Sequence, residues 1–154
     1  MPIVELTDLP AALPARTPLA AVDVGEKTIG VAVSDISRMI ASPLELIRKV
    51  KFTQDAERLF ALMRGRGAGG LVVGLPVNMD GTEGPRCQAS RAFARNLLRL
   101  QDFPIAFWDE RLSTAAVQRV LTTEADLTRA RRAELVDKAA AAWILQGVLD
   151  RLAD

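Results

Sequence analysis

Leu19-Ala-Ala-Val-Asp-Val-Gly-Glu-Lys-Thr-Ile-Gly-Val-Ala-Val-Ser-Asp35 is the stretch whose reading decides the fold. Two short apolar runs, Ala20 to Val24 and Ile29 to Ser34, flank the turn-forming segment Gly25-Glu-Lys-Thr28. That is the pattern of a tight β-hairpin with buried strands. Asp23 breaks it. The residue stands between Val22 and Val24 in a strand that otherwise reads as buried, where an unpaired carboxylate costs several kcal/mol. An acid held there needs a cation, and a metal ion is one candidate. A structural Asp that caps the Gly25 turn is the other reading.

Outward from the hairpin, Ile36-Ser-Arg-Met39 turns the chain and Ile40 to Ile47 offers a third strand. Pro43 makes it an edge strand, because proline cannot donate to a ladder. Connections this short make the first three strands antiparallel neighbours. Thr53 to Arg64 reads as a helix with Ala56, Leu59, Phe60 and Met63 on one stripe, ended by the glycines from Gly65 to Gly70. Leu71 to Gly74 is a short apolar strand of the kind found in parallel sheets. The loop Leu75 to Pro85 is dense in Gly and Pro. A helix follows from about Arg86 to Leu100, with Ala89, Phe93 and Leu97 inward. Arg91, Arg95 and Arg99 line its outer face, which reads as solvated in preference to a nucleic-acid track.

Pro104 to Trp108 is the next strand and ends in Asp109-Glu-Arg111. Ser113 can cap a helix to about Leu121, Thr122 to Ala130 reads as a polar loop, and a last helix runs from about Arg131 to Leu152. Strands alternating with helices after an antiparallel start give a three-layer α/β fold, a mixed sheet with helices on both faces.

A chain of 154 residues is one domain with room for a core. It has one cysteine, Cys87, and no histidine. That excludes internal disulfides, His-based triads and His general bases, and argues against Cys/His zinc sites. Chemistry must run on carboxylates, Lys, Ser/Thr or a hard metal. A net charge of +1 means that any basic surface is local. No segment is long and apolar enough to span a membrane, and a lone thiol fits a reducing cytosol, so the expected location is cytoplasmic. Residues 1–18 carry Pro2, Pro10, Pro14 and Pro18 and lack the basic start and apolar run of a signal peptide. They read as a flexible extension before a domain spanning residues 19–154.

Two further positions join Asp23. Asp137 shares a helix face with Ala140, Ala141, Ile144 and Val148, at three- and four-residue steps. The small residues there let the helix approach the sheet, although an Asp paired with Lys138 or a loop Arg is the bland alternative. Asp109 and Glu110 stand at the carboxyl end of a strand, where ligands gather in open α/β sheets. Strand alternation sends the pair to opposite faces, so one of them belongs to a site. Three carboxylates make an oxygen-rich cluster that suits Mg²⁺ or Mn²⁺. Two such ions about 3.5–4 Å apart drive phosphodiester hydrolysis without histidine.

Ala21 to Gly25 with Gly30 to Asp35, Val73-Gly-Leu-Pro-Val-Asn-Met-Asp-Gly-Thr-Glu-Gly84, Asp109-Glu-Arg-Leu-Ser-Thr114, and Asp137-Lys-Ala-Ala140 with Ile144-Leu-Gln146 resemble the YqgF family, also called RuvX. These are the Holliday-junction-resolvase-like proteins, and the match runs in order from about Leu19 to Leu152. The resemblance implies a ribonuclease H-like fold with a five-stranded mixed sheet in the order 3-2-1-4-5. It implies a bacterial cytoplasmic, metal-dependent nuclease that matures the 5′ end of precursor 16S ribosomal RNA. Its acids carry over onto Asp23, Glu110 and Asp137, as catalytic residues and as ligands of Mg²⁺ or Mn²⁺. Related junction resolvases carry an acid after the strand beside the first one, whereas Gly74-Leu-Pro76 has none. Glu110 therefore starts roughly 10 Å from Asp23, two strand spacings away, and must lean back. Asp80 is the fallback ligand.

Phosphate backbone would be held by main-chain N–H groups and scattered cations: Lys27 at the hairpin tip, Asn78, Arg86, Arg111, and Arg129, Arg131 and Arg132 before the last helix. Branched DNA is the alternative substrate, and cutting its two strands symmetrically would need a homodimer; the expected state is a monomer or a homodimer. A non-catalytic nucleic-acid or transcription-complex binder is a second class. An actin-like phosphotransferase, whose hairpin is similar, is a third; such proteins use two domains where this chain has one.

Overall fold

The computed structural model describes the backbone of residues 3–113 and 129–153, with side chains for 3–112 and 139–153. Strands β1 (Leu19–Val24), β2 (Thr28–Ser34) and β3 (Ala41–Arg48) form an antiparallel meander. Helix α1 (Phe52–Arg66) crosses to β4 (Gly70–Leu75), which pairs parallel to β1. Helix α2 (Pro85–Leu100) crosses to β5 (Ile105–Asp109), parallel to β4. The sheet order is β3-β2-β1-β4-β5, the order that the family resemblance implies. A one-turn 3-10 segment, Glu110–Ser113, follows β5, and the last helix is α3 (Arg129–Ala153). The helix expected from Ser113 to Leu121 and most of the loop after it lie outside the described residues.

Alternation along the strands divides the core into two layers. Ala20, Val22 and Val24 face α1 and α2, joined by Ala56, Leu59, Phe60 and Met63, the stripe expected of α1. Leu19 and Ala21 face α3 with Val72, Ala106 and Trp108, against Ala141, Ile144 and Val148. Helices thus cover both faces. Helix α1 ends at Gly67, whose φ of +70° closes the helix while its N–H bonds back to Arg64. On α2 the buried positions are Cys87, Ser90, Phe93, Ala94 and Leu97. Ala89, expected to face inward, is exposed; the helix is rotated so that Ser90 and Ala94 lie against the sheet.

Pro43 lies on the edge strand β3, where the ladder to β2 shifts register between Val31 and Ala32. The irregularity falls where Pro43 has no N–H to donate. Gln146 ties α3 to this edge. Its Oε1 accepts from the Ala41 N–H at 2.9 Å and its Nε2 donates to the Met39 carbonyl at 3.1 Å. Asp35 shapes the β2–β3 turn by accepting from Ser37 Oγ and the Met39 and Ile40 N–H groups, which hold its carboxyl down at about 2.

Residues 3–18, expected as a flexible extension, pack along the domain. Val4 N–H donates to the Ile105 carbonyl at 2.9 Å, so the chain starts against β5. Two 3-10 turns, Leu6–Asp8 and Pro10–Ala12, then lead to Leu19. Leu9 is wholly buried and Leu13 nearly so, in the layer with Leu19 and Leu149. Burying one leucine contributes about 1.5–3 kcal/mol. The apolar spacing of Leu6, Leu9 and Leu13 outweighs the prolines, one of which simply opens the second turn.

Candidate active site

Strands β1, β4 and β5 run parallel, so their carboxyl ends meet at one edge of the sheet. There the register places Val22 beside Val73 and Gly74 beside Trp108. Asp23, Gly74 and Trp108 consequently form one row on the α3 face. Two residues beyond Trp108, Glu110 returns to that face and Asp109 goes to the other.

Glu110 reaches back across β4 to Asp23. What lets it do so is Gly74. A Cβ built at position 74 would lie 3.1 Å from Glu110 Cγ and 3.2 Å from its Cδ, so the glutamate stem occupies the space that a side chain would fill. The gap of two strand spacings is bridged by a long acid passing over a residue with no side chain. The two carboxyls share a hydrogen bond. Burial first, and then the negative charge of Asp23, push the Glu110 carboxyl up to about 8, while Arg86 pulls the other way. Glu110 therefore keeps its proton at neutral pH when no cation is present, and donates it to Asp23. A divalent cation would replace that proton. Two hard oxygen donors forced together with a shared proton fit Mg²⁺ or Mn²⁺.

Asp109 is used differently. Arg111 grips it through Nη2 at 2.6 Å, and its carboxyl lies below the usual range because of that pair. Arg111 Nη1 also donates to the Asn78 carbonyl at 3.4 Å, tying β5 to the Gly-rich loop. Within the loop Asp80 Oδ1 accepts from the Thr82 hydroxyl and N–H, which lowers its carboxyl. Asn78 Nδ2 donates to Thr82 Oγ1 at 3.0 Å. Asp80 and Asp109 thus shape loops, and the Asp109 charge also helps to raise the Glu110 carboxyl. The Gly25 turn closes through its own backbone, Gly25 N–H to Thr28 O at 2.8 Å.

Asp137 lies in α3, on the face of Ala141 and Ile144, two turns toward the helix N-terminus from Ile144. Ile144 Cδ1 would be 2.6 Å from a Cβ at Gly74, so this helix face sits over the row that holds Asp23. The Asp137 and Arg131 side chains lie outside the described ones, and no group of three metal-ligating residues occurs among the described residues. Of the expected phosphate donors, Arg86 lies within the field of Glu110, Lys27 is exposed at the hairpin tip, and Arg111 and Asn78 are engaged with each other.

Residues 17–151 match the sequence family described as RuvX, Holliday junction resolvase. The chain belongs to the RuvX family. It is 71% identical over 153 residues to a protein of Phenylobacterium zucineum, covering 99% of this chain and 98% of that one. A Rhodospirillum rubrum protein is 62% identical, with 99% and 94% covered. Both carry the name "Putative pre-16S rRNA nuclease". Among solved structures, Thermus thermophilus RuvC in complex with a Holliday junction superposes with a TM-score of 0.53 at 14% identity, covering 88% and 96% of the two chains. The yeast mitochondrial Holliday junction resolvase Ydc2 gives 0.51 at 9%, with 96% and 84% covered. These likenesses show the ribonuclease H-like fold of the RuvX chain.

Gly74 is the residue of this RuvX site that motif reading passed over. The signal was present, since a glycine inside an apolar strand marks close approach by another group. Gly74→Ala should lower cleavage severalfold to about tenfold, because Glu110 must give by a few tenths of an ångström and a displacement near 1 Å can cost about a hundredfold. Ile144 Cδ1 can rotate away, but Glu110 must shift. Wild-type turnover in Gly74→Ala would show that the position of Glu110 over Gly74 is immaterial.

Proposed function

We propose that this RuvX chain is a metal-dependent endonuclease that hydrolyses a phosphodiester of precursor 16S ribosomal RNA, at its 5′ end, in the cytoplasm. The observation that carries the reading is Glu110 laid across Gly74 onto Asp23, two acids sharing one proton at the carboxyl ends of parallel strands. The names of the RuvX relatives support the substrate, and the absence of any described helix long and apolar enough to cross a membrane agrees with the location.

Asp23, Glu110 and Asp137 are the catalytic residues and would hold Mg²⁺ or Mn²⁺. Bound ions would supply an activated water and stabilise the leaving oxygen. Asp23 is held rigidly by β1. Glu110 would give up its proton on holding a cation, and Arg86 partly offsets the charge of the two acids. Lys27, Asn78, Arg86, Arg111 and Arg131 contact the phosphate backbone; for Arg111 and Asn78 this occurs at the outer surface of the bonded pair. A single site cuts an RNA strand once, so a monomer suffices.

The test incubates purified protein with labelled precursor rRNA fragments and with four-way DNA junctions, with and without Mn²⁺. RNA cleavage that appears with Mn²⁺ and vanishes with EDTA is expected. Cleavage that survives EDTA would remove the metal mechanism. Paired cuts in the junction alone would make the chain a dimeric resolvase, the activity in the family's description. Binding without cleavage of either substrate would leave the non-catalytic reading.

A further inference from the structure

A second feature lies beside the acids. Between the start of α1 and α2, a groove of about 780 Å³ opens on the opposite side of β1 from α3. It falls within the roughly 300–1,000 Å³ of pockets that enclose small organic ligands. Its apolar base is Phe93, buried, and Phe52, half-buried, packed edge to face with ring centroids 5.6 Å apart. Ala89 and Ala92 leave one wall low. Lys49, Lys51 and Arg86 are also on its lining, against Glu26 and a buried Asp55. Asp55 is committed to the local backbone, accepting the Val50 N–H at 3.1 Å.

The groove adjoins the acid site across the end of β1. Val24 and Gly25 on its lining follow Asp23 directly, and Arg86 both lines the groove and acts on Glu110. Lys49 Nζ donates to the Gly25 carbonyl at 3.1 Å, which holds an ammonium beside the crossing point. A strand with a phosphate at Asp23 would pass over the β1–β2 turn and into it. Aromatic rings with cations around them are the chemistry by which proteins take up unpaired bases.

We propose that this groove is a subsite for one unpaired nucleotide of the RNA strand, adjacent to the scissile phosphate. The base lies against Phe52 and Phe93, and Lys51 and Arg86 meet its phosphates. The assignment rests on the nuclease reading for its substrate class but not for its measurement. A duplex cannot use the subsite, because a stacked and paired base cannot enter a groove.

The experiment measures binding in EDTA, so that cleavage is neither needed nor possible. A fluorescent single-stranded oligoribonucleotide is titrated against the wild-type chain, Ala89→Leu and Lys51→Gln. Ala89 is an exposed helix position, so leucine fills the groove at little folding cost. Ala89→Leu should raise Kd for the single strand about tenfold, the scale of one lost base stack, and leave the salt slope unchanged. Lys51→Gln should reduce that slope by about 0.7, one single-strand phosphate contact. Neither should change binding of a blunt RNA duplex of equal length. Thermal melts check folding, and a 4-thiouridine probe should cross-link within residues 49–52 or 85–96. Unchanged single-strand affinity in a folded Ala89→Leu, or an equal loss on the duplex, would overturn the subsite even if the protein cuts RNA. Loss of single-strand binding in a protein that never cuts would sustain the subsite and remove the nuclease.

Discussion

Glu110→Gln is expected to lose cleavage and to become more stable than wild type in EDTA at pH 8, whereas Asp109→Asn does neither. Loss of a group that touches the cation should exceed the roughly 10–100-fold typical of an outer-shell partner. Asp109 pairs with Arg111 on the other face, so its amide should cost cleavage less than about tenfold. The stability sign follows from the proton. Below about 4.5 the Glu110 carboxyl is protonated in folded and unfolded chains alike. Between 4.5 and about 8 the unfolded chain releases the proton and the folded one keeps it, so stability falls as pH rises. Above 8 the whole penalty is present, a few kcal/mol. The amide introduced by Glu110→Gln cannot ionise and still donates to Asp23, so the variant escapes the penalty. Added Mg²⁺ should reverse the order, stabilising wild type and not the variant. Melting curves in EDTA and in Mg²⁺ from pH 5 to 9, beside a cleavage assay, provide the check. Equal loss of cleavage in both variants would show that Asp109 also serves the site, despite its pairing.

Asp137→Asn is the other large effect. The substitution keeps the volume of the side chain and removes its charge. In the proposed site without cations, one fewer acid means less repulsion, so the metal-free protein should be no less stable. Cleavage should fall by orders of magnitude, because an ion deprived of an anionic ligand no longer holds its water in line. RNA binding should largely persist, since phosphate contacts come from other residues. A variant destabilised in EDTA that still cuts would make Asp137 a structural partner of Lys138 or Arg131.

Local pattern was enough for the strands. The two apolar runs around Gly25-Glu-Lys-Thr28, Pro43 on the edge, the short apolar strand ending at Gly74 and the run Pro104 to Trp108 determine five strands and the antiparallel pairing of the first three. Alternation, proline and connection length all act over a few residues, and the family resemblance supplied the place of β4 beside β1. The chemistry of the acids was legible for a similar reason: a carboxylate between Val22 and Val24 is anomalous in any fold. The N-terminal strap was not, because its prolines speak of local stiffness, while Leu9 and Leu13 are held by a layer built from residues far along the chain. Nor was the rotation of α2 that exposes Ala89, since a helical stripe leaves its angle to the sheet open by a residue. Only the tertiary structure decided how Glu110 reaches Asp23. Sequence supplies the length of a glutamate and the bareness of Gly74, but it is the parallel register of β4 between β1 and β5 that lays one across the other and makes two distant acids share a proton.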